Sequence, residues 1–145
     1  MTTSPVHALS PDDSWQHLRE TQLGRLATAA LGAISIVPVN YVVDGETLVF
    51  RTATGSKLIE LAVNRAVAFE IDDYGSDEAW SVVVNGSATI ISDADTIAAV
   101  ELLPLSPWTR TIKPTFVRIT PTAVSGRRFE LNTELSYEDT RAVPA

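Results

Sequence analysis

Apolar and polar residues change their spacing several times along the chain, and each change marks an element. Ser10-Pro11-Asp12-Asp13 joins a capping hydroxyl, a proline at the first helical position and acidic first-turn residues, which predicts a helix start. That helix runs to about Gln22, with Trp15 and Leu18 three apart on its buried stripe. The period then shortens to two. Residues 23–30, 34–44 and 46–53 read as strands, the first two linked around Gly32 and the last two through the Asp44-Gly45 hairpin signal. After a short helix over about 56–64, residues 66–72 alternate and place Val67, Phe69 and Ile71 on one face. Residues 80–91 form a long strand with both faces at least half apolar or small, as a curved barrel strand requires, and Gly86 marks a bend or bulge. Ser92-Asp93-Ala94-Asp95 opens a helix to about Leu103 as a capping-box variant, stopped by Pro104 and Pro107. A last pair of strands fits 115–120 and 123–131, and the tail from Asn132 shows no period and is expected to be loosely attached.

The sum is six or seven antiparallel strands with a few short helices. This predicts a mainly β protein, a small barrel with helical additions, because the helices do not alternate regularly with strands as in a βαβ chain. At 145 residues one domain over 1–145 is expected, able to bury roughly two thirds of its unfolded surface. No apolar run approaches the ~20 residues of a membrane span, and the start Met1-Thr2-Thr3-Ser4-Pro5 lacks a basic and apolar leader. The expectation is a cytoplasmic protein that neither enters membranes nor binds nucleic acid, since the net charge of −7 opposes phosphate-backbone binding. Cysteine is absent, which removes disulfides, thiolate metal sites and cysteine nucleophiles.

In an acidic chain the places where cations gather carry weight. The eleven Lys and Arg residues are mostly scattered, and seven of them gather, as Arg51 with Lys57, Arg110 with Lys113, and Arg118 with Arg127 and Arg128. Arg51 closes a strand, Thr52-Ala53-Thr54-Gly55-Ser56 turns, and Lys57 falls in the first turn of the next helix. A phosphate would suit that corner, through exposed N–H groups, the helix dipole, a guanidinium fork, a hydroxyl and an ammonium. A solvated strand end with Ser56 as helix cap would also account for these residues, and the local pattern does not choose between the two. Walker A is excluded, because Arg51 and Ser56 stand where its glycines belong. No two of the seven glycines are two residues apart, so the dinucleotide fingerprint is absent as well.

Other chemistry is poorly supplied. His7, in a segment expected to be mobile, and His17, on the first helix, are the only histidines, which argues against a Ser-His-Asp engine and against a histidine metal site. The acidic turn Asp72, Asp73, Asp77, Glu78 has its glycine at the wrong position for a calcium loop and reads as solvated. No metal is expected. Trp15 and Trp80 read as core or interface, whereas Trp108, two residues before Arg110 in a proline-rich connection, could wall a planar ligand, pack on a partner subunit or anchor its own loop.

These segments together resemble the pyridoxamine 5′-phosphate oxidase-like, FMN-binding split-barrel family. The resemblance covers most of the chain: the helix with Trp15 and Leu18, Leu23-Gly24-Arg25-Leu26-Ala27, Pro38-Val39-Asn40-Tyr41, Phe50-Arg51-Thr52, Gly55-Ser56-Lys57, Val67-Ala68-Phe69-Glu70-Ile71-Asp72, the strand from Trp80 to Gly86, and Gly126-Arg127-Arg128. It implies that Arg51, Ser56 and Lys57 hold the cofactor's phosphate with Thr52 nearby. It implies also that Val39, Asn40 and Tyr41 border the isoalloxazine, hydrogen-bonding it through their backbone. Members are typically homodimers with cofactor at the interface, so Trp108 and Arg110 of one subunit would approach the flavin of the other. An FMN- or F420-dependent oxidoreductase passing a hydride to or from a small substrate is the reading so implied. A non-catalytic flavin carrier or cofactor-free binding module is the alternative. Asn40, Tyr41, Trp108 and Arg110 are the candidates for tuning the ring or meeting substrate, and no residue stands out as catalytic. The Arg- and Trp-rich C-terminal motif of the true pyridoxamine phosphate oxidases is missing, which puts that particular activity in doubt.

Overall fold

A computed structural model of the chain describes residues 4–53, 55–105 and 113–131. Ten elements follow in order: β1 (Val6–Ala8), α1 (Pro11–Glu20), β2 (Leu23–Ala30), β3 (Ala33–Asp44), β4 (Thr47–Thr52), α2 (Ser56–Val63), β5 (Ala66–Tyr74), β6 (Glu78–Ile91), α3 (Ala94–Val100) and β7 (Thr115–Glu130). All the strand pairings are antiparallel, in the order β1-β7-β4-β3-β2-β5-β6, and a β6–β7 ladder closes the sheet on itself. Closure covers β6, which would otherwise be an open edge able to template aggregation, along its whole length. No helix among the described residues is long and apolar enough to cross a membrane.

The alternating positions converge inside this barrel. Leu26, Leu48, Phe50, Val67, Phe69, Ile71, Val82, Val84, Val117 and Ile119 are buried, and Leu18 of α1 closes one end. A second cluster of Val49, Ile91, Val100 and Phe116 packs α3 on the outer side of β4 and β7. Phe50 and Val49 thus face opposite sides of one strand, and both are fully buried. That explains why β4 reads as a continuous apolar run rather than an alternating one. The β2–β3 link is a two-residue hairpin in which both Leu31 (φ 53°) and Gly32 (φ 78°) have positive φ, the arrangement that matches strand twist.

Several expectations are corrected. The two last strands are one strand, β7, in which Pro121 pairs with Gly86 and Ala123 with Asn85, so that Thr122 is the extra residue of a bulge. Proline reads as a break because it lacks an N–H, but the bulge absorbs it. Gly86 lies at the bulge expected of it, where the register shifts between Asn85 and Gly86, and a Cβ there would lie 2.5 Å from the Thr120 carbonyl oxygen. His7 lies on β1, paired with Arg128, with its Nε2 2.9 Å from Glu130 Oε1. A three-residue strand is too short to show a period. In α3 the cap is Asp93, which accepts from the Thr96 N–H at 2.9 Å and from its hydroxyl at 2.6 Å. Ser92 is not the cap, and the helix ends at Val100, short of the prolines. The predicted cap Ser10 of α1 does accept from the Asp13 N–H, at 3.1 Å. Trp80 packs partly buried against the core and stacks on His17, ring centroids 3.8 Å apart.

Candidate functional site

β3 and β4 run side by side only over Tyr41–Asp44 and Thr47–Phe50. Beyond Tyr41 and Phe50, β3 follows β2, and β4 continues through Arg51 and Thr52 against β7. The barrel wall therefore splits between Val39-Asn40 on one lip and Arg51-Thr52 on the other. Four of the predicted site residues face each other across that split because of register, not sequence proximity.

At the β4 lip, Arg51 pairs with Phe116 across the β4–β7 ladder. Its guanidinium lies over the Phe116 ring, 4.6 Å from the centroid, and its Nε donates to the Lys113 carbonyl at 2.9 Å. Stacking and one hydrogen bond fix the plane of the fork while the side chain stays exposed, and no other described residue takes a hydrogen bond from it, so that, among the described residues, its Nη hydrogens can meet an anion. Thr52 is buried, with its hydroxyl 3.3 Å from the Ala53 carbonyl oxygen. Its place in the corner is mainly one of packing.

The chain then reaches α2 through Gly55, which occupies the N-cap with φ 152° and ψ −156°. Among residue types only glycine readily takes that conformation, and it makes no side-chain cap. The alternative in which Ser56 caps the helix is thereby removed: Ser56 is the first helical residue, and it is exposed. Among the described residues no side chain caps the first-turn N–H groups. Lys57, in that turn, is half-buried, and burial holds its ammonium below the ordinary lysine range; Glu60 acts in the opposite sense and Lys113 adds to the lowering. Glu60 itself accepts from the Thr28 hydroxyl at 2.7 Å and from Ser35 at 3.5 Å, tying α2 to β2 and β3.

On the β3 lip, Val39 packs its side chain toward the core and Asn40 is partly exposed, with Nδ2 3.5 Å from the Gln22 carbonyl oxygen. Tyr41 departs from the expected role in tuning a ring or meeting substrate. Its side chain is buried, its hydroxyl donates to the Leu18 carbonyl at 2.6 Å, and its ring meets Phe69 edge-on at 4.7 Å. Burial pushes the phenol's pKa up, so it stays neutral. Tyr41 pins α1 to the barrel, and only its backbone is near the split. Trp108 and Arg110 lie outside the described residues. The residue that sequence reasoning left out of the corner is Lys113. The signal was the apolar Phe116 three residues on, which pairs with Arg51, but that pairing joins positions 65 apart in the chain.

Residues 10–128 match the family model described as pyridoxamine 5′-phosphate oxidase. An uncharacterised protein of Mycobacterium tuberculosis is 39% identical over 103 residues, covering 71% of this chain and 94% of that protein. A pyridoxamine 5′-phosphate oxidase-like protein of Corynebacterium glutamicum superposes with a TM-score of 0.81 at 38% identity, over 88% of this chain and all of the other. An FAD-binding protein of Mycobacterium smegmatis does so with a TM-score of 0.74 at 37% identity, over 86% of this chain and 98% of that one.

Proposed function

This chain belongs to the pyridoxamine 5′-phosphate oxidase family, and from that premise we propose that it is a homodimeric flavin-dependent oxidoreductase holding its cofactor's phosphate at the Arg51–Lys57 corner. One observation carries the reading. Arg51, beside the split in the barrel wall, is oriented by the Lys113 carbonyl and Phe116, and Lys57 is half-buried in the first turn of α2 within reach of Lys113. The FAD bound by the M. smegmatis relative supports a flavin, and FMN carries the same ring with a simpler phosphate tail. A deazaflavin of the F420 type is the competing occupant.

In this reading Arg51, Lys57 and Ser56 bind and orient the phosphate, with Thr52 packed nearby. The backbone of Val39, Asn40 and Tyr41 lines the flat edge of the ring, and Trp108 and Arg110 approach from the second subunit. The flavin supplies hydride transfer to or from a small substrate, so no protein acid or base is required. The dimer has a physical basis in the outer face of β2 and β3. Ile34 and Ile36 are 79% and 68% exposed, and the adjoining groove of about 530 Å³ is lined by Ala29, Ala30, Leu31, Ile34 and Val63. A second copy would cover this apolar face and bury a planar ring that one shallow barrel cannot.

Titration with FMN and FAD, followed by flavin fluorescence, tests the proposal. Binding at micromolar concentration that is lost in Arg51→Ala with Lys57→Ala is expected, and no binding by the unaltered protein overturns it. Turnover with a reductant and a panel of acceptors then separates an oxidoreductase from a flavin carrier. Sedimentation of Ile34→Asp against the parent tests the dimer.

A further inference from the structure

Arg51, Lys57 and Lys113 differ from Arg25, Arg118 and Arg128 in what surrounds them, although among the described residues Arg19, Arg65 and Arg127 also lack an ion pair. Arg25, Arg118 and Arg128 each reach a carboxylate, but among the described residues no ion pair joins Arg51, Lys57 or Lys113 to one. Lys113 is brought to the corner by register: Thr115 pairs with Thr52 and Phe116 with Arg51, so the chain just before β7 passes beside the end of β4. Its carbonyl accepts from Arg51 Nε at 2.9 Å, and its ammonium acts on that of Lys57. Glu60 is the carboxylate that acts on Lys57, and it is engaged by Thr28 at 2.7 Å. Among the described residues, three cations set against one carboxylate leave two positive charges.

We propose that Lys113 is a third phosphate-binding cation, and that the corner is built for a phosphate group bearing two negative charges, rather than for a singly charged phosphodiester. FMN offers such a group as a terminal monoester and FAD as a pyrophosphate, whereas a deazaflavin of the F420 type offers a diester. This rests on the flavin reading and narrows it. An anion between the three groups relieves the mutual repulsion of Lys57 and Lys113 and gains charge-assisted hydrogen bonds from each. A neutral flavin gains neither.

The experiment is a titration of the unaltered protein, Lys113→Ala and Lys113→Arg with FMN, FAD, riboflavin and F420. Lys113→Ala is expected to bind FMN or FAD about tenfold more weakly or worse, to bind riboflavin as the parent does, and to melt at the parent's temperature. Lys113→Arg should recover most of the loss. Weaker binding below about pH 6, where a monoester takes up its second proton, identifies FMN as the source of the charge; affinity unchanged there identifies FAD. Unchanged FMN and FAD affinity in Lys113→Ala, with Arg51→Ala and Lys57→Ala still impaired, overturns the inference and leaves the flavin reading standing. Tighter binding of F420 than of either flavin also overturns it. Failure of the unaltered protein to bind any flavin ends both.

Discussion

Arg25 on β2 and Arg51 on β4 belong to the same barrel and have opposite surroundings. Arg25 pairs across β2 and β5 with Glu70, accepting partner of its Nε at 3.1 Å, and reaches Asp72 Oδ1 at 2.8 Å. Its charge is met twice, and its pKa is raised chiefly by the Glu70 hydrogen bond. Arg51 meets a carbonyl and an aromatic face, neither of which neutralises it. Among the described residues, carboxylates stand opposite Arg25, Arg118 and Arg128, and Glu60 is the one that acts at the corner. A cation oriented without being neutralised is prepared for an anion that arrives from solution.

The most severe way to break this contrast is to remove each arginine in turn. Arg51→Ala is expected to weaken flavin binding by ~1.5–3 kcal/mol, or at least tenfold, with little change in melting temperature. Arg25→Ala should leave flavin affinity at the parent value, and equal losses in the two variants would dissolve the distinction. Gly55→Ala comes next. Nothing lies within 4 Å of a Cβ there, so the expected cost of about 1–3 kcal/mol comes from backbone conformation, and it should appear as weaker flavin binding because α2 no longer starts where Lys57 is needed. Normal affinity in a normally folded Gly55→Ala protein would show that the corner does not depend on that turn.

A smaller effect follows from the lowered pKa of Lys57. The anion requires the ammonium, so affinity should fall as pH rises through that value, below the ordinary lysine value of 10.5, and Lys57→Arg should abolish the fall. Titrations at a series of alkaline pH values check this. The least effect is expected on the stability side of the comparison. Removing Arg25 should cost about 0–1 kcal/mol in denaturant unfolding, because the pair is partly exposed. Glu70 adds a pH signature to it. Its pKa is raised, first by burial and then by the hydrogen bond with Asp72, so its contribution to stability is fully present below its ordinary value of 4.5 and is lost as pH rises through the raised one. Glu70→Gln should lack that loss when melting temperatures are compared across the window.

Much of the fold was legible along the chain. Val67, Phe69 and Ile71 declare a buried face by alternation, Ser10-Pro11 declares a helix start, and Asp44-Gly45 a hairpin, because each signal lies within a few residues. β1 was not legible, since three residues have no period and their only support is the far end of β7. Nor was the unity of β7, where the bulge at Thr122 exists only against Asn85 and Gly86 of the facing strand. At the site, Arg51, Gly55, Ser56 and Lys57 could be read as a possible anion corner from their spacing. Tyr41 could not be told from a ligand-facing residue, because the same strand alternation fits both faces until Leu18 and Phe69 are placed.

By itself, then, the sequence determined which residue types stand where the chain turns from β4 into α2, and that they are suited to an anion. Tertiary structure decided which of the described cations are met by carboxylates, that Lys113 stands beside Arg51, and that the Tyr41 side chain is buried against Leu18 and Phe69. The physical reason is that helix caps and strand alternation are local interactions, whereas the neutralisation of a charge depends on what long-range strand pairing brings within a few ångströms of it.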